Sequence, residues 1–122
     1  MKMFFTIALL SLSLTLFYFS EEKVMNSFKN YDELVQSGII DKGWLPPYLP
    51  RSATNIEEEH YVDTNIVYAT FDFHPDDILN DSDCKIKETL EFVTTYSCEY
   101  RGSNLKITMF NTGHADLFSQ PK

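Results

Sequence analysis

The chain has 122 residues and a formal net charge of −8, with 18 Asp and Glu against 10 Lys and Arg. This length is enough for one domain of ordinary size. The charge argues against nucleic-acid binding, which needs clustered Lys and Arg for phosphate contacts. It is compatible with a basic protein partner, and equally with an acidic surface that repulsion keeps soluble.

The first predicted element is an apolar leader. Lys2 precedes an uncharged run from Phe4 to Phe19, which is typical of a signal peptide or an uncleaved signal-anchor helix within residues 1–20. Tyr18 stands where signal cleavage requires a small residue, so we favour a transmembrane anchor over a cleaved signal; a buried core helix is the third reading. The prediction is a bacterial inner-membrane protein facing the periplasm, or a periplasmic or secreted protein if the signal is cleaved.

A spacer is predicted at residues 21–30, followed by a folded domain at residues 31–110. Asn30 and Glu33 have the spacing of a capping box, which predicts that a short helix begins after Asn30. Gly38 is suited to end that helix in a left-handed conformation.

A proline-rich segment from Gly43 to Arg51 contains the only tryptophan, Trp44. Proline fixes φ and lacks an amide donor, so this segment is predicted to be stiff and extended or turn-rich. Tryptophan, tyrosine and arginine on a preorganised loop commonly anchor protein interfaces. Trp44, Tyr48 and Arg51 are therefore candidate partner-binding residues; the alternative is that Trp44 and Tyr48 belong to the core.

Residues 56–62 are predicted to form an edge strand, because three consecutive glutamates do not suit a central strand. Glu58 and His60 would share one face of that strand, and both are candidate partner-binding residues. Two ligands on one strand are too few for a metal site. We therefore predict no metal and no cofactor.

The clearest strand runs from Ile66 to Phe73, and a hairpin around Gly102–Asn104 is predicted near the C-terminus. Lys85–Val93 fits both helical and strand periods, and we predict a short helix or loop there. Residues 111–122 show no apolar period and are predicted to be a loose tail. The predicted fold class is α+β: an N-terminal apolar helix, then an antiparallel sheet of about four strands with one or two short helices.

Cys84 and Cys98 are the two cysteines. An even number in a chain with a targeting segment predicts one disulfide, which would close a loop of about 15 residues and stabilise the fold by roughly 3 kcal/mol. The alternative is a pair of buried free thiols.

Catalytic motifs are missing from the sequence, which has no nucleophile elbow, no P-loop and no C-x-x-C pair. We therefore predict no catalytic residues and a protein that is not an enzyme. The alternative function is a small-ligand or metal-binding envelope module that uses His60, His74 and neighbouring acids.

The string GWLPPYLPRSATNIEEEHYVDTN, residues 43–65, resembles a motif of small bacterial proteins of the YbbD-head type. The residues that carry the resemblance are Gly43, Trp44, Pro46, Leu49, Pro50, Ser52, Ala53, Ile56, His60, Asp63, Thr64 and Asn65. It implies a short, often exported protein without known catalytic residues. A non-enzymatic protein-interaction role is expected, with neutralisation of a toxin as a special case.

Overall fold

The computed structural model describes residues 22–79 and 81–122. Seven strands of this part form one antiparallel sheet: β1 (Lys23–Asn30), β2 (Thr54–Tyr61), β3 (Val67–Asp72), β4 (Cys84–Leu90), β5 (Val93–Tyr100), β6 (Ser103–Phe110) and β7 (His114–Pro121). Among the described residues the single helix is α1 (Tyr31–Gln36). The strands lie side by side in the order β1-β2-β3-β7-β6-β5-β4.

The predicted α+β fold is therefore wrong, because the described chain is nearly all β. The segment predicted as a spacer forms β1 at one edge of the sheet, and the segment predicted as a loose tail forms β7 at its centre. In β7, Ala115, Leu117 and Ser119 are buried and alternate with more exposed residues. The buried positions of β7 have the period of two that a strand shows. The sequence shows little sign of it, because small and polar residues occupy some of those positions.

The predicted leader, with its apolar run at residues 4–19, lies outside the described residues. Within residues 22–79 and 81–122 no helix is long and apolar enough to cross a membrane. Nothing in this part of the chain supports the predicted transmembrane signal-anchor, which falls on residues outside it.

The prediction of a helix or loop at Lys85–Val93 is also wrong, since most of this segment is β4. The ladder between β4 and β5 has a register shift between Ile86 and Glu88. A bulge of this kind adds one residue to a strand and interrupts its alternation. That interruption explains why the sequence fits the helical period as well as the strand period.

Other local predictions are confirmed. The Asn30 side chain accepts a hydrogen bond from the Glu33 amide at 2.9 Å, so α1 begins as the capping pattern indicated. β5 and β6 form a hairpin whose two turn residues, Arg101 and Gly102, both have positive φ. A two-residue turn of this type matches the natural twist of paired strands.

One face of the sheet carries the core. Helix α1 and residues 37–53 cover this face. Their side chains Leu34, Leu45 and Leu49 belong to the same hydrophobic cluster as Phe71 and Ile107 of the sheet. The opposite face is open: the strand residues that point to it are exposed or half-buried, and none of them is buried.

The predicted disulfide is confirmed. Cys84 of β4 and Cys98 of β5 are directly opposite in the ladder, and their sulfur atoms are bonded. The bridge fastens the edge strand β4 to the rest of the sheet.

Candidate functional site

The structure brings together three of the five predicted partner-binding residues: Trp44, Glu58 and His60. The Trp44 and His60 rings are stacked, with centroids 3.8 Å apart and planes inclined by 14°. His60 Nδ1 lies 2.5 Å from Glu58 Oε1. We call these three residues and Asn26 the tryptophan clamp.

The clamp satisfies the polar groups that it buries. Asn26 Nδ2 donates a hydrogen bond to Glu58 Oε2 at 2.9 Å, so both carboxylate oxygens have a partner. Buried polar groups are costly unless they are hydrogen-bonded in this way. The exposed fraction is 2% for Glu58 and 6% for His60. Both side chains therefore offer almost no surface to a docking protein, and their geometry fastens the proline-rich segment to the sheet.

The burial of Glu58 and His60 follows from strand pairing that the sequence did not reveal. The prediction that they share a face is confirmed by the register, in which Val24 lies opposite His60 and Asn26 opposite Glu58. β1 occupies the edge, so β2 is an interior strand. In β1, half-buried Val24 and Asn26 and buried Phe28 alternate with exposed residues, and this period of two was the signal available.

Tyr48 and Arg51 lie apart from the clamp. The Tyr48 hydroxyl donates to the Glu99 carbonyl at 3.3 Å, and its ring meets Tyr100 edge-on at 6.3 Å. Burial raises the pKa of Tyr48 well above its ordinary value, and the negative charges of Asp81 and Asp83 add to the shift. Tyr48 is thus a neutral link between the proline-rich segment and β5, whereas Arg51 is exposed.

A histidine between two carboxylates lies on the open face, where sequence reasoning expected a tail. His114 Nδ1 is 3.3 Å from Asp72 Oδ1, and His114 Nε2 is 3.1 Å from Asp116 Oδ1. A hydrogen bond from Asn55, followed by the contact with His114, lowers the pKa of Asp72. Within the described residues no group of three or more His, Cys, Asp and Glu is arranged to hold a metal ion. The arrangement is a hydrogen-bonded surface network.

The open face also carries an aromatic row, formed by Tyr61, Tyr68 and Phe118. The Tyr68 ring meets the Tyr61 ring edge-on, with centroids 6.3 Å apart, and its centroid lies 5.1 Å from that of the Phe118 ring. Tyr68 is 44% exposed. The strand predicted at residues 66–73 includes Tyr68, but Phe118 was predicted to lie in the tail, so the row could not be recognised.

Cavities border Tyr68 on both sides. One of about 330 Å³ lies towards Met25, Glu57 and Glu59. The other, of about 350 Å³, lies towards Lys106 and Phe118. Tyr68 is therefore a ridge between two depressions that protruding side chains of another molecule can enter.

A second apolar patch lies near the β4 edge, where Ile78, Leu90 and Phe92 are largely exposed. β4 itself carries Lys85, Lys87 and the bulge. Edge lysines and bulges discourage the addition of a further strand. The β4 edge is therefore a poor surface for strand pairing.

The comparisons with known proteins bear on the first half of the chain. The family model described as the YbbD head domain matches residues 22–72, which run from β1 to β3 and include the whole tryptophan clamp. The searches of curated proteins and of solved structures each found no match. The resemblance seen in the sequence is therefore confirmed: residues 22–72 match the YbbD head domain.

Proposed function

We propose that this chain is a non-enzymatic protein-binding domain that docks its partner on the open face of the sheet. The observation that carries the proposal is the aromatic row of Tyr61, Tyr68 and Phe118 on a face whose strand residues are exposed or half-buried. Aromatic residues are enriched at protein interfaces and supply many of the residues that dominate binding energy.

The dimensions of the face suit a stable interface. Strands about 4.8 Å apart and roughly 25 Å long give a seven-stranded sheet an open face of about 800 Å². A standard protein interface buries about 800 Å² on each partner. One such partner can therefore be accommodated on this face.

The partner that fits is a protein with basic groups around an apolar anchor. The net charge of −8 attracts a basic protein at long range. At short range the exposed Glu57 and the half-buried Glu59 border the cavity beside Tyr68. A cation placed there would lie against both a carboxylate and an aromatic ring.

The disulfide supports a location outside the cytoplasm. Such bridges persist in the periplasm and in secreted proteins and are rare in the cytosol. We therefore place the domain in the periplasm or among secreted proteins. Neutralisation of a basic toxin is one form that the proposed binding can take, and the resemblance to the YbbD-head type suggested it.

The test is site-specific photo-crosslinking in the native host. A photoreactive phenylalanine analogue is placed at Tyr68 or at Phe118, and the matched controls carry it at Phe92 or at Val35, which are exposed elsewhere. We expect one adduct of the same mass from both open-face positions and none from the controls. Tyr68→Ala should abolish the adduct formed from position 118.

Equal adducts from all four positions, or adducts from Phe92 or Val35 alone, would contradict docking on the open face. Circular dichroism of each variant checks that it is folded.

A further inference from the structure

We infer that the chain has a second binding site, a pocket for a small oxyanion such as phosphate or a carboxylate. It lies at the end of the sheet where the proline-rich segment meets the β2–β3 and β5–β6 turns. Its volume is about 350 Å³, within the range of small-ligand sites. We call it the turn pocket; its polar lining includes Lys42, Trp44, Asn65, Arg101, Ser103 and Ser119.

The charge of the turn pocket is opposite to that of the chain. Lys42 and Arg101 both line it, and no Asp or Glu is among its lining residues. This is notable in a chain with 18 acidic and 10 basic residues. Two cations at one concave site, without a carboxylate between them, favour an anionic ligand.

The Arg101 guanidinium is held in position by a backbone carbonyl. Its Nη1 donates to the Asp41 carbonyl at 2.9 Å, which leaves the other N–H groups available. Gly43 lies directly beneath it: a Cβ at Gly43 would be 3.1 Å from Nη1, and φ is +86° there. Glycine at this position therefore lets the loop and the guanidinium approach each other closely.

A hydroxyl group also lies at the turn pocket. Ser119 lines the pocket and is only 5% exposed. A serine hydroxyl can donate a hydrogen bond to an oxyanion bound there.

The turn pocket is distinct from the proposed docking face. Ser119 and Val67, which form its floor, lie on the covered face of the sheet, whereas Tyr68 lies on the other. Anion binding therefore does not depend on the protein-binding proposal.

The experiment is an amide NMR titration of the full chain with inorganic phosphate and, separately, with acetate, at constant ionic strength. Saturable shifts of the Gly43, Gly102 and Ser103 amides are expected in the millimolar range. Arg101→Gln and Lys42→Gln should each weaken binding by about tenfold, the loss expected for one charge-assisted hydrogen bond. Saturation by phosphate alone would assign a phosphate group, and saturation by both would assign any small oxyanion.

Arg51→Gln is the matched control, because it makes the same change of charge on the exposed arginine outside the turn pocket. It should leave the titration unchanged, as should Tyr68→Ala. Shifts that do not saturate, or that persist in both turn-pocket variants, would overturn the inference. A loss of binding equally large in Arg51→Gln would also overturn it, since that result shows only attraction to net charge.

Discussion

His60→Ala is expected to lower the free energy of unfolding by about 2–3 kcal/mol, because breaking a buried hydrogen-bonded pair leaves the remaining group without its partner. Glu58, which is 2% exposed in the native chain, would lose the contact of its Oε1 with His60. The stacking surface beneath Trp44 would also disappear. Denaturant unfolding monitored by circular dichroism measures the change without depending on Trp44 fluorescence.

Two controls separate the pair from general effects of substitution. Glu57→Ala removes an exposed glutamate from the same strand and should change stability by less than about 0.5 kcal/mol. The double variant Glu58→Leu/His60→Leu should lose less than the sum of the two single losses, since apolar residues can replace a buried pair at little cost. A loss below about 1 kcal/mol in His60→Ala would show that the clamp does not hold the segment.

Reduction of the Cys84–Cys98 disulfide is expected to cost about 3 kcal/mol, the chain-entropy value for a loop of this length. β4 depends strongly on the bridge, because it pairs with β5 alone and all its residues after Cys84 are exposed. The measurement is the denaturation midpoint with and without reductant. In Cys84→Ala/Cys98→Ala the reductant should have no effect, and an unchanged midpoint for the native chain would contradict a stabilising bridge.

Local sequence patterns predicted the elements that local chemistry determines. Asn30 and Glu33 capped a helix, and the alternation in β5 and β6 gave a hairpin. The pairing of β7 between β3 and β6 could not be read, because it joins strands that are distant in the chain and its buried positions include Ala115 and Ser119. Fold class was missed for this reason.

For the candidate site too, local sequence patterns indicated the residues, whereas their burial depends on pairing between distant strands. Trp44, Glu58 and His60 were singled out because their residue types are common at functional sites, and they do come together. Their burial depends on β1, which was predicted to be a spacer. The aromatic row requires β3 and β7 to be adjacent, so no local pattern could have combined Tyr68 with Phe118.

Docking on the open face is tested most directly by calorimetric titration. The partner identified by crosslinking at Tyr68 is titrated into the native chain and into the double variant Tyr68→Ala/Phe118→Ala. Removal of two aromatic anchors should raise the Kd by about thirtyfold or more, as expected for a loss of at least about 2 kcal/mol. Phe92→Ala removes an exposed aromatic ring near the β4 edge. It should leave the Kd within about twofold of the native value. An unchanged Kd in a correctly folded double variant would contradict docking on the open face.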